Sequence, residues 1–115
     1  MARLTSDFFV TALMRLVSRR GDYATIVKKG AFQAGAVFIV LRARTGTITL
    51  YTPAPQQVYG DEAGTGRLFI KSTTVNDDAT LDNCMTKESR FDPDYWLVEL
   101  ELSDASADLP FDITR

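Results

Sequence analysis

Six consecutive apolar residues, Ala36-Val37-Phe38-Ile39-Val40-Leu41, constrain this chain more than any other stretch. A half-buried strand alternates apolar and polar side chains because successive residues point to opposite faces of a sheet, so an unbroken run puts apolar groups on both faces. The run is far shorter than the roughly twenty apolar residues a membrane-spanning helix needs. It is predicted to be the central strand of a sheet covered on both sides, which takes more than one helix or a long covering segment.

The flanking sequence supplies such cover. Ser6 to Arg20 places Phe9, Leu13, Leu16 and Val17 at helical spacing, with Phe8, Val10, Ala12 and Met14 widening the apolar face as in a deeply packed helix. Thr5 or Ser6 can cap its orphan amides, Asp7 suits its positive end, and Arg19, Arg20 and Gly21 supply a stop. Asn76 to Arg90 reads as a second helix with Leu81, Cys84, Met85 and Glu88 in line.

Strands are expected at Tyr23 to Lys28, Thr47 to Thr52, Arg67 to Thr73 and Tyr95 to Leu102, and the turn Arg44 to Thr47 makes a hairpin with the central run. In the last of them Trp96, Val98, Leu100 and Leu102 face one way and Glu99 and Glu101 the other. The expected architecture is one layered α+β domain over residues 1–102, ordered α-β-β-β-β-α-β. Its sheet should be mainly antiparallel, of about five strands, with helices on both faces. Residues 103–115 read as an acidic tail whose Leu109, Phe111 and Ile113 alternate, so that it either frays or adds a strand to a sheet edge, its own or a partner's.

A chain of 115 residues, 45% apolar and 24% charged, is ordinary globular material. The lone Cys84 forms no internal disulfide and no charged-then-apolar leader opens the sequence, so a cytoplasmic protein that does not enter membranes is expected. Histidine is absent, which removes the usual general base at neutral pH and the commonest metal ligand. Residues 1–44 carry eight Lys and Arg against two Asp, and residues 45–115 carry five against thirteen acids, giving halves of +6 and −8. Such asymmetry marks a nucleic-acid or acidic-partner surface, or two halves that face each other.

Four stretches together carry a resemblance: RLTSDFFVTALMR (Arg3–Arg15), KKGAFQAGAVFIV (Lys28–Val40), LYTPAPQ (Leu50–Gln56) and RFDPDYWLVELE (Arg90–Glu101). The chain from Arg3 to about Glu101 resembles a bacterial family of unknown function, numbered fourteen ninety-one among such domains. The matching positions are Arg15, Lys29, Gly30, Ala34, Gly35, Tyr51, Pro53, Pro55, Arg90, Asp92, Pro93, Asp94, Trp96 and Glu99. The resemblance implies a shared fold and no activity, since the family has none to lend.

Three places could carry function. The cluster Arg90, Asp92, Asp94, Trp96 and Glu99 sits around a Pro93 turn, where two carboxylates can share a proton or hold a hard cation such as Mg²⁺. Asp before Pro is equally what a type I turn asks for. Arg15, Lys28, Lys29, Arg42 and Arg44 form a basic surface if coplanar, although Arg42 and Arg44 can instead pair with Glu99 and Glu101 across strands. Tyr51, Pro53 and Pro55 could line a groove.

The loop Gly60 to Arg67 lacks the ending of a phosphate loop and carries Asp61 and Glu62, so it reads as a hairpin loop. Cys84 lies among acids and reads as a core residue. The expected function is a non-enzymatic binding or adaptor module with a protein partner or a second copy, and no cofactor or bound metal. The rivals are a hydrolase or transferase, with or without Mg²⁺, built on the Arg90–Glu99 cluster, and nucleic-acid binding through the basic half.

Overall fold

The apolar run lies in the middle of a six-stranded sheet, where burial on both sides places it. The computed structural model describes residues 5–54, 67–91, 93–103 and 109–114. In chain order these form α1 (Ser6–Arg19), β1 (Tyr23–Lys28), β2 (Ala36–Arg42), β3 (Ile48–Pro53), β4 (Leu68–Val75), α2 (Asp78–Phe91), β5 (Tyr95–Glu101) and β6 (Asp112–Ile113). The strands lie side by side as β1-β5-β2-β3-β4-β6.

Alternation along β2 divides the core in two. Val37 and Ile39 pack with Trp96, Val98, Leu100 and Phe69 against Val10, Leu13 and Val17 of α1. Phe38 and Val40 turn the other way and pack with Leu50 and Val75 against Leu81 and Met85 of α2. Cys84 is partly buried beside this second cluster.

The α+β class holds, with corrections to its detail. The sheet is mixed: β5 runs parallel to β2 from Ala36 opposite Tyr95 to Arg42 opposite Glu101, and β6 runs parallel to β4. The antiparallel pairs are β1–β5, β2–β3 and β3–β4. The parallel pair follows from α2, a crossover that returns the chain to the end from which β2 starts. A sixth strand arises where the C-terminal segment returns to β4, burying Phe111 against the rings of Tyr51 and Phe69.

The sheet is not covered on both faces. A helix about 10 Å across covers about two strands spaced about 4.8 Å apart, and α2 stands over the β4 side. Over β1 the face opposite α1 is open, leaving Tyr23 73% and Val27 55% exposed.

α1 is also less deeply packed than its composition predicts. Its buried stripe is Ser6, Val10, Leu13 and Val17, while Phe8 points outward. Its cap is tertiary: the amides of Ser6 and Asp7 donate to the carbonyls of Gln33 and Phe32, and the Thr5 hydroxyl donates to Asp7. At its other end Gly21, at φ +79°, closes a Schellman motif in which Asp22 N–H donates to Val17 and Gly21 N–H to Ser18. Among the described residues no helix is long and apolar enough to cross a membrane.

Candidate functional site

The loop between β1 and β2, residues 29–35, is short and lacks regular structure, yet both backbone groups of Ala31 and of Gly35 and the carbonyls of Phe32 and Gln33 are hydrogen-bonded. The Ala31 amide donates to Asp94 Oδ1 at 2.8 Å, and the Ala31 carbonyl accepts from Trp96 Nε1 at 2.9 Å and from the Gly35 amide at 3.3 Å. The carbonyls of Phe32 and Gln33 receive the first amides of α1 at 2.9 and 3.2 Å. The Gly35 carbonyl accepts from the buried Ser6 hydroxyl, which in turn accepts from Arg67 Nη2 at 2.9 Å. α1 and the start of β5 thus hold the loop, and Arg67, just before β4, backs the Ser6 hydroxyl.

The glycines in it are there for space. A Cβ on Gly30 would come within 2.8 Å of the Tyr95 backbone, and one on Gly35 within 2.9 Å of the Ala31 backbone. The loop is clamped down on Trp96, whose ring is buried beneath it. Phe32 rides on top: its ring lies 6.5 Å from that of Trp96 and remains 65% exposed. Phe8, 60% exposed, stands on the first turn of α1, next along the chain to Asp7, whose amide bonds Phe32.

Of the predicted acidic cluster, the two carboxylates among the described residues do not converge. Asp94 is turned to the Ala31 amide, and Glu99 is paired with Arg42 on the other face of β5. The two are five residue steps apart along extended chain, roughly 16 Å at about 3.3 Å per residue. Trp96 belongs to the core, Arg90 lies in the exposed last turn of α2, and Asp92 lies outside the described residues. Among the described residues no three carboxylate, thiol or imidazole groups are arranged to hold a metal ion.

The basic residues are spread over two ends of the sheet. Lys28 sits beside the start of β5, its ammonium donating to the carbonyls of Pro93 at 3.0 Å and Tyr95 at 3.2 Å and lying 3.9 Å above the Tyr95 ring. Lys29 follows it, exposed. Arg42 is at the far end, where it bonds Glu99 and Asp78 together. Arg44 lines a 410 Å³ cleft at that end with Arg42, Asp22, Tyr23 and Glu101, in which acids offset the arginines. Arg15 stands on the outer side of α1.

Of the expected groove, Tyr51 is buried, Pro53 ends β3 opposite Phe69, and Pro55 lies outside the described residues. Residues 60–66 and 104–108 lie outside them as well.

Sequence reasoning missed Phe32 and misplaced Phe8. Helical periodicity put Phe8 on the apolar face, whereas the buried stripe runs through Ser6 and Val10. The available signal for Phe32 was an aromatic residue in a short loop bounded by Gly30 and Gly35, the pattern of a side chain displayed rather than buried.

The family described as protein of unknown function (DUF1491) matches residues 4–109. A crystal structure of a DUF1491 family protein from Caulobacter crescentus is 29% identical, with a TM-score of 0.74 over 97% of this chain and 98% of that one. A solution structure of a protein from A. tumefaciens is 36% identical, with a TM-score of 0.79 over 99% and 98% of the two chains. An NMR structure of a C. crescentus DUF1491 family protein is 31% identical, with a TM-score of 0.75 over 97% of each. No curated protein matches the chain.

Proposed function

This chain belongs to the DUF1491 family, which has no assigned activity, and we propose that it is a non-enzymatic binding module whose contact point is the loop carrying Phe32. The observation behind this reading is an aromatic ring 65% exposed on a loop fixed by bonds to α1 and β5. An exposed apolar ring on a mobile loop would lose entropy when bound. A ring on a preorganised loop loses little, and aromatic anchors of this kind dominate protein interfaces. The partner that fits is a protein surface with an apolar pocket, with Phe8 and Lys29 contributing at the margin.

The enzyme reading has less to stand on, because two of the carboxylates it would use are engaged, Asp94 with the loop and Glu99 within the sheet. Nucleic-acid binding through the basic half needs one charged surface, and Lys28 and Arg42 sit at opposite ends of the sheet with their charges already engaged.

Affinity capture with the wild-type chain and with Phe32→Ala as baits, followed by calorimetry on the purified partner, tests the proposal. A partner bound by the wild type and weakened by more than about tenfold in Phe32→Ala is the expected result. Equal binding by both baits, or turnover of a metabolite that Asp94→Asn abolishes, would overturn it.

A further inference from the structure

The two edges of the sheet are finished differently. β6 lies along the outer side of β4, whereas among the described residues β1 pairs only with β5 and no strand lies along its other side. Bare edges are ordinarily guarded against other chains by proline, by outward charge or by a bulge. The sequence Tyr23-Ala24-Thr25-Ile26-Val27-Lys28 has no proline and no acid, and its one charge is bent back onto the Pro93 and Tyr95 carbonyls. The irregularity at Val27 lies in the ladder with β5, and exposure still alternates through Tyr23, Thr25 and Val27. Beside this edge the sheet face is open, with Tyr23 and Val27 exposed on it.

We infer that β1 pairs antiparallel with β1 of a second copy, about a two-fold axis perpendicular to the sheet at Thr25. The strand is self-complementary in that arrangement. Thr25 meets Thr25 of the second copy, and Tyr23 meets its Val27, an aromatic and β-branched pairing favoured across strands. Ala24 and Ile26 meet on the α1 side, so buried residues stay on the buried face.

The charges at the strand ends agree as well. On the flanks of the strand itself Asp22 precedes Tyr23, and the exposed Lys29 follows Lys28. The antiparallel arrangement therefore brings Asp22 of each copy towards Lys29 of the other, twice. A parallel pairing would set like charges together, and so would pairing with a strand acidic at its C-terminal end. A second copy of this chain satisfies both the pattern and the charge. The two sheets then join into one of twelve strands, and the contact leaves Phe32 free for a different partner.

The test uses the full chain at micromolar to near-millimolar concentration, with mass read by light scattering. The wild type should run at twice the chain mass. Thr25→Lys sets two ammonium groups across the axis at an exposed position, and should raise the dissociation constant by more than about tenfold, with a melting temperature unchanged at dilutions where both proteins run as single chains. Thr25→Cys in a Cys84→Ser background should crosslink the copies on mild oxidation, since directly opposed strand residues come within disulfide reach. Phe32→Ala should stay dimeric, which separates this contact from the one proposed for the loop. A wild type of single-chain mass at every concentration, a fully dimeric Thr25→Lys, or a dimer that Thr25→Cys fails to crosslink would each overturn the inference.

Discussion

Trp96 and Ala31, sixty-five residues apart, are joined by a 2.9 Å hydrogen bond from the indole Nε1 to the Ala31 carbonyl. The amide of the same Ala31 is taken by Asp94. One side of β5 thus satisfies both polar groups of a single loop residue, and the loop's conformation depends on the start of β5 rather than on its own sequence.

Replacing Trp96 with Phe keeps an aromatic ring in the core and deletes the donor. The Ala31 carbonyl keeps only the longer bond from Gly35, so a loss of about 1–3 kcal/mol is expected, from the lost bond and the imperfectly filled space. Urea unfolding measures it. Hydrogen exchange at Ala31 and Gly35 should accelerate more than at β3, because the damage is local to the loop.

Gly30→Ala and Gly35→Ala should each destabilise by about 1–3 kcal/mol. The added methyl meets backbone atoms at 2.8 and 2.9 Å, which move only if strand or loop moves with them. Thermal melts of the two variants check this. A cost near zero would mean that the loop stands further from Trp96 than described.

Arg42 joins Glu99 on β5 to Asp78 at the start of α2, with Arg42 and Glu99 about equally shielded at 28% and 26% side-chain exposure and Asp78 open at 67%. Exposed pairs contribute about 0–1 kcal/mol and shielded ones more. Glu99→Gln should therefore destabilise more than Asp78→Asn, and the gap should narrow in high salt. Chemical denaturation by urea at low and high ionic strength reads both. If Glu99 served a metal instead, Glu99→Gln would leave stability unchanged and abolish a Mg²⁺-dependent shift in the melting temperature.

The element types along the chain were legible because they follow from side-chain period and turn residues, which are local. β1 runs from Tyr23 to Lys28 around its β-branched Thr25, Ile26 and Val27, as expected, and the line Leu81, Cys84, Met85 packs as the helical spacing of α2 implies. What could not be read was pairing. Whether β5 enters beside β2 running parallel depends on where α2 returns the chain, and whether Phe111 reaches the core depends on the site left between Tyr51 and Phe69. The same limit applied to the acidic cluster: Asp94 and Glu99 are near in sequence, but odd and even strand positions point to opposite faces. Phe32 escaped because exposure is a property of the assembled loop.

Asp77 holds the start of α2. Its carboxylate accepts from the Thr80 amide at 2.7 Å and the Thr80 hydroxyl at 2.8 Å, and these bonds hold its pKa below 3.8. A depressed folded pKa gives stability that is present above the unfolded pKa and lost as pH falls through the folded one. Melting temperatures of the wild type and Asp77→Ala should therefore differ above about pH 5 and converge in acid. Asp77→Asn, which keeps an acceptor, should lie between them at neutral pH and titrate less.

Phe111 should prove to be the residue through which the C-terminal segment contributes to the fold. Its ring stands edge-on to Tyr51 at 5.0 Å and to Phe69 at 5.4 Å, and it is 7% exposed. Phe111→Ala is expected to cost about 3–5 kcal/mol, the range for emptying a buried aromatic site. A second readout separates loss of this contact from general loosening. Burial raises the Tyr51 pKa above its ordinary 10.0. A raised folded pKa in a phenol means stability present below the unfolded pKa and lost as pH climbs through the folded one. Removing Phe111 opens the phenol to water, so Tyr51 should titrate closer to 10, and the alkaline fall in stability should shrink. Tyrosinate absorbance, compared between wild type and Phe111→Ala with Tyr51→Phe identifying the Tyr51 signal, measures this. An unmoved Tyr51 titration with a small stability loss would place Phe111 outside the core.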